Sequence, residues 1–173
     1  TLSIVNVTCF GSGLLSSKLH SACHSLHIFV QNLTERFELK CDGDLSCNDV
    51  AVHGQSAHSL SVRGRGNLAL SSSYIYAQNA DELFIFCGSE RSELGCTDLY
   101  VLAPSYSVPG SPRTQIECQG HGCKEAMYFE SEHGALDLDV QVNGCGECSD
   151  VGSCITEWAF YCDAANHSIF DSF

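Results

Sequence analysis

Residues 37–52 read FELKCDGDLSCNDVAV, which spells a strand, a tight turn and a second strand, with a cysteine on each side of the turn. Phe37, Leu39 and Cys41 alternate with Glu38 and Lys40, the period of two that marks a half-buried strand. Asp42-Gly43-Asp44 supplies turn chemistry, because glycine accepts a positive φ and aspartate can bond its own backbone. Beyond Cys47, Val50 and Val52 again share one side.

The rest of the chain varies this unit. With the second cysteine as a marker, Cys23, Cys47, Cys96, Cys123 and Cys154 each open a short apolar segment. Leu26 and Ile28 follow Cys23 at the offsets that Val50 and Val52 take after Cys47. Leu99 and Val101 repeat them after Cys96, as do Ala126 and Tyr128 after Cys123. A unit without cysteine lies between Cys47 and Cys96, and there Ser72 takes the marker place with Ile75 and Ala77 behind it. The marker spacings are then 24, 25, 24, 27 and 31 residues, a near-constant period that signals stacked repeats. The last unit slips, with Trp158 and Phe160 one place later than the pattern predicts.

Composition points to an oxidising compartment. The chain has 173 residues, enough for one domain or one run of repeats (1–173) with a sizeable core. Twelve cysteines in so short a chain suggest disulfides and a secreted, extracellular or cell-surface location. Three sequons agree, at Asn6, Asn32 and Asn166, each a candidate for a covalent N-glycan. No apolar run approaches the roughly 20 residues of a membrane span. Eight basic against 21 acidic residues give a net charge of −13, which argues against nucleic acid; it reads first as a solvated acidic surface that favours solubility, with cation binding or a basic partner as the alternatives.

Several features sit outside the repeat. His20, His24 and His27 have the spacing of a metal site on a helix, but they fall in a segment read as strand, where they do not converge. Cys145 and Cys148 are the one C-x-x-C spacing, and zinc knuckles need two. All three prolines fall in residues 103–113, a loop that interrupts the period and is expected to project from one face. Asp137 and Asp139 share the acidic face of residues 136–142, a start on a calcium site but short of the six to eight oxygens that ion takes. No metal or cofactor is therefore expected. The tail, residues 168–173, is apolar and carries Ile169, Phe170 and Phe173.

In each unit both cysteines flank one turn, so the repeat pairs Cys9 with Cys23, Cys41 with Cys47, Cys87 with Cys96 and Cys118 with Cys123. Cys148 and Cys154 copy the spacing of Cys41 and Cys47, which leaves Cys145 for Cys162. Short strands recurring in this way predict an all-β chain, a right-handed parallel β-helix of about six disulfide-laddered coils. An antiparallel β-sandwich is the alternative.

The segments FELKCDGDLSCNDVAV and TQIECQGHGCKEAMYF resemble the cysteine-rich repeats of secreted β-helix proteins from unicellular eukaryotes, in which an I-x-C-x-G-x-x-x-C unit stacks into a solenoid. The third unit departs from that pattern by lacking cysteine. The resemblance implies a structural or adhesive surface glycoprotein, with no reaction and no functional residues to carry over. On this reading the chain is non-enzymatic and assembles with itself, head to tail, into a filament or surface layer through Ile169, Phe170 and Phe173. The alternative is that the tail folds back beside Trp158 and Phe160. A carbohydrate-binding or adhesion module, and then a polysaccharide-degrading enzyme, are the competing functions. A hydrolase would need convergent carboxylates, and Arg63 and Arg65 have no acidic neighbour close in sequence to make a lyase site.

Overall fold

The structure is a computed structural model that describes residues 4–10, 22–30, 35–55, 57–88, 95–104, 114–119, 122–123, 127–131, 138–143, 158–162 and 167–169. These residues form thirteen strands and no helix. The first seven are β1 (Ile4–Phe10), β2 (His27–Phe29), β3 (Arg36–Asp42), β4 (Ala51–His53), β5 (Ser59–Arg65), β6 (Tyr74–Tyr76) and β7 (Glu82–Gly88). They are followed by β8 (Leu99–Leu102), β9 (Thr114–Gln119), β10 (Met127–Ser131), β11 (Leu138–Asn143), β12 (Trp158–Cys162) and β13 (His167–Ile169). No helix among the described residues is long and apolar enough to cross a membrane.

The chain deals its strands alternately into two sheets. One has the order β1-β3-β5-β7-β9-β11, the other β13-β12-β10-β8-β6-β4-β2. Every pairing is parallel except that of β12 with β13. Both sheets are open, and their parallel registers exclude the antiparallel sandwich. A third set of parallel contacts joins the turns: Cys47 N–H donates to Ala69 O, Leu70 N–H to Gly95 O and Cys96 N–H to Gly122 O, each at 2.9 Å. Each turn therefore satisfies its buried amides on the next turn.

Parallel register sets residues of successive strands in columns. Val7, Leu39, Val62, Ile85, Ile116 and Val140 are in register along the first sheet. Ile28, Val52, Ile75, Val101, Phe129 and Phe160 are in register along the second. Leu39, Val62, Ile85, Ile75, Val101 and Phe129 are fully buried, each contributing about 1.5–3 kcal/mol by leaving water. Strands with this stacking cannot bury their faces singly, which is why the period recurs.

A third column holds the sulfurs: Cys9, Cys41, Gly64, Cys87 and Cys118 lie in register, followed by Val142. Disulfides join Cys9–Cys23, Cys41–Cys47, Cys87–Cys96 and Cys118–Cys123. The coil without cysteine closes differently. Gly64 aligns with Cys41, and the turn contacts align Leu70, not Ser72, with Cys47 and Cys96. This corrects the marker. A Cβ on Gly64 would lie 2.9 Å from both Cδ1 and Cγ of Leu70, so a leucine folded over a glycine fills the place of a disulfide. Two residues on, Gly66 has φ 135°, and a Cβ there would meet the Gly43 carbonyl carbon at 2.5 Å. The turns stack too closely for a side chain at that point.

The slip expected in the last unit begins one coil earlier. Met127 and Phe129 are buried and face inward, while Tyr128 faces out, which corrects the placing of Tyr128 on the core side; Ala126 lies outside the described residues. One residue is added between Cys123 and β10, so β10 and β12 share a register. At the far end, β13 lies antiparallel on β12 with Ile169 opposite Phe160. The tail pairs with its own last coil at that point. Phe170 and Phe173 lie outside the described residues, as do Cys145, Cys148 and Cys154, Asn32 and Asn166, and loop positions 105–113.

Candidate functional site

The strand columns place the chemistry. In β2, β4, β6, β8 and β10 the aligned residues Ile28, Val52, Ile75, Val101 and Phe129 point into the core, so the neighbours of each point out. One outer column runs His27, Ala51, Tyr74, Tyr100 and Tyr128. The other runs Phe29, His53, Tyr76, Leu102 and Glu130. Parallel strands sit about 4.8 Å apart, the separation at which rings on neighbouring strands stack. Phe29 and His53 stack with centroids at 4.4 Å and planes 7° apart, and His53 stacks on Tyr76 at 4.7 Å and 7°. Tyr74 meets Tyr100 at 5.9 Å with a 44° tilt. Burial of the His53 ring, and secondly the nearby His27, hold the His53 pKa below its ordinary value, so the stack favours the neutral ring.

Beside this aromatic ladder lies a groove of about 550 Å³, open to solvent and lined by Ser72, Tyr74, Asp98, Tyr100, Tyr128 and Glu130. Ser72 and Asp98 occupy corners with φ 53°, two residues past Leu70 and Cys96. Ser25 and Asp49 hold the matching corners at φ 54° and 58°, and the Ser25 hydroxyl donates to Asp49 Oδ2 at 2.7 Å. Short polar side chains tolerate this left-handed backbone, and of these corners Ser72 and Asp98 stand on the groove edge. Within the groove the Tyr100 hydroxyl donates to Glu130 Oε2. Tyr74 is the most open of the three groove tyrosines, 43% exposed. The lining thus combines π faces, hydroxyls and two carboxylates.

The opposite sheet is chemically occupied. Glu38, placed by its alternation on the outer face, is only 8% exposed and accepts from Lys40 at 3.3 Å and Arg63 at 3.1 Å. Arg63 lies over Phe84 and Arg65 over Phe86, at 5.1 and 5.4 Å from the ring centroids. These cations are spent on their own fold.

Of the residues singled out in the sequence, eight cysteines form the four core disulfides, and Cys162 ends β12. Asn6 is exposed in the middle of β1 on the outer face, within reach of a glycan. The histidines do not converge: His24 Nδ1 lies 3.2 Å from the Asn48 carbonyl oxygen, and His27 stacks on His53. His20 lies outside the described residues. Asp139 sits in β11 opposite Gln115, and Asp137 lies outside the described residues. No group of three or more His, Cys, Asp or Glu among the described residues has the placing to hold a metal ion. The tyrosine ladder and groove do not stand out in the sequence, although Tyr74, Tyr100 and Tyr128 each directly precede an inward apolar residue of their strand. No family model, no curated protein and no solved structure matches this chain.

Proposed function

We propose that this chain is a non-enzymatic extracellular module, a disulfide-laddered right-handed parallel β-helix that binds carbohydrate on the outer face of its second sheet. The observation that carries the reading is the pair of outer columns, each with three consecutive aromatic rings in register (Phe29, His53 and Tyr76; Tyr74, Tyr100 and Tyr128), bordered by a groove with hydroxyls and carboxylates. Aromatic faces stack on the apolar faces of sugar rings, and the polar rim orients the hydroxyls. Four disulfides support an oxidising compartment. The test is a glycan array followed by calorimetry on the best ligand. Tyr74→Ala, an exposed change, should weaken that ligand by about tenfold or more with an unaltered circular dichroism spectrum. A ligand whose affinity ignores Tyr74→Ala and Tyr100→Ala, or an array with no hit, removes the reading.

Self-assembly remains the second reading, and one observation relocates it. Because β13 pairs with β12, the better-placed contact is at the other end, where β1 and β2 are the sheet edges. There Ile4 is 63%, Val5 38% and Phe10 72% exposed. Val5 heads the inward column that continues with Phe37 and Leu60, so a neighbouring coil stacked on β1 would cover it. Val5→Lys puts a charge where that coil would sit. If the chain assembles by this edge, sedimentation velocity should show Val5→Lys shifting oligomers to monomer. Oligomers that persist in the variant rule the edge out.

A further inference from the structure

Resting on the reading that this face binds carbohydrate, we propose that the groove selects a saccharide bearing a free, protonated amino group, a polymer of unacetylated amino sugars running along the stack of coils. The six lining residues include two carboxylates, Asp98 and Glu130, and no lysine, arginine or histidine. They come from successive coils, Asp98 at the corner before β8 and Glu130 in β10. A chain lying across Tyr74, Tyr100 and Tyr128 would therefore pass both carboxylates in turn.

An ammonium has three donors and no acceptor, which matches carboxylate oxygens and phenol hydroxyls better than a neutral hydroxyl does. Hydrogen bonds with a charged partner are roughly twice as strong as neutral ones. The faces of Tyr74, Tyr100 and Tyr128 also attract a cation through their negative quadrupole. Glu130 accepts from the Tyr100 hydroxyl through Oε2, which orients the carboxylate within the groove lining. The net charge of −13 draws cationic ligands in at long range. The same features disfavour the alternatives. Uronate or sulfate groups would meet Asp98 and Glu130 as like charges, and among the described residues Lys40 and Arg63 are paired with Glu38 on the other sheet. An N-acetyl group removes the charge that the carboxylates would meet.

Calorimetry on the full chain tests this with four probes: a β-1,4-linked glucosamine hexamer, its fully N-acetylated form, a β-1,4-linked glucose hexamer and hexalysine. The glucosamine hexamer should bind about tenfold or more tighter than the acetylated one, the factor expected of one charge-assisted contact. Raising the salt should shrink that margin. Asp98→Asn and Glu130→Gln should each reduce the preference, and together reduce it to about twofold or less. Both changes spare the fold: asparagine accepts the left-handed backbone at position 98, and glutamine still accepts from the Tyr100 hydroxyl. Equal binding of the two amino-sugar hexamers, or a preference that survives the double variant, overturns the inference while leaving carbohydrate binding intact. Hexalysine binding as tightly as the glucosamine hexamer overturns it as well, since the site would then read charge alone. If none of the three saccharides binds, the carbohydrate reading falls with it.

Discussion

Full reduction of the disulfides should unfold the chain at room temperature. The four observed bridges close loops of 14, 6, 9 and 5 residues in sequence separation. In the chain-entropy model such loops contribute about 2–3 kcal/mol each, about 10 kcal/mol together. A domain of this size is stable by only about 5–15 kcal/mol in all, so the bridges supply most of the margin. The bridges also sit in the core column, with Cys41, Cys47 and Cys87 fully buried. Reduction then leaves four pairs of thiols in a stack packed for bonded sulfurs, which adds a packing loss to the entropic one. Burial further means that reductant reaches the bonds only after the coils open, so reduction should be slow in buffer and fast in mild denaturant. The check is circular dichroism and thermal melting of the reduced, alkylated chain against the oxidised one. A cooperative melt within a few degrees of the oxidised protein after complete alkylation would show that packing alone holds the stack.

Much of this architecture is legible in sequence because its determinants are local. The alternation of Phe37, Leu39 and Cys41 sets the faces of β3, and Cys47, Val50 and Val52 set the entry to β4. Their recurrence sets the period. What is not legible depends on contacts one coil away. Ser72 looks like a marker because serine resembles cysteine in size, whereas the structure uses Leu70, a residue with no resemblance that works only because Gly64 opposite it has no side chain. Glu38 reads as a solvent-facing carboxylate until β5 brings Arg63 to within 3.1 Å. The extra residue before β10 cannot be placed by counting from Cys123, since both Tyr128 and Phe129 are aromatic and either suits a core by hydrophobicity.

The site is harder to see than the fold. Tyr74, Tyr100 and Tyr128 are far apart in the chain and form one column only when β6, β8 and β10 are aligned in register. With the correct marker the signal is present in sequence, as a tyrosine one place before the inward residue of three consecutive coils. With Ser72 as marker Tyr74 no longer aligns with Tyr100, and with Tyr128 placed inward the column ends a coil early. The carboxylates are further concealed. Asp98 reads as an ordinary turn residue, and Glu130 as the solvent side of a strand, until the groove brings them to one place.

Leu70→Ala should be among the most damaging single substitutions in the chain, and Gly64 explains why. Leu70 is almost fully buried, and in its coil no disulfide spans the turn between the positions that match Cys41 and Cys47. Truncation removes its burial and leaves a cavity beside the stacked cysteines, at a cost of about 2–5 kcal/mol. Gly64→Ala should also destabilise, by about 1–3 kcal/mol, because its Cβ would press at 2.9 Å on a Leu70 side chain that the core holds in place. The two losses should not add. Alanine at 70 vacates the space that a Cβ at 64 needs, so the double variant should be more stable than the sum of the singles predicts, by about 1 kcal/mol or more. Denaturant unfolding of the four proteins gives this coupling directly, and strict additivity would mean that Leu70 and Gly64 do not substitute together for the bridge. A second double variant approaches the same pair from the other side. Cysteines at 64 and 70 have the separation of six residues found at Cys41 and Cys47 and lie in register with them, so G64C/L70C should close a new disulfide. Peptide mapping of the unreduced protein should find 64 joined to 70. Free thiols at both positions would show that the coil's geometry has adapted to leucine and no longer matches that of its neighbours.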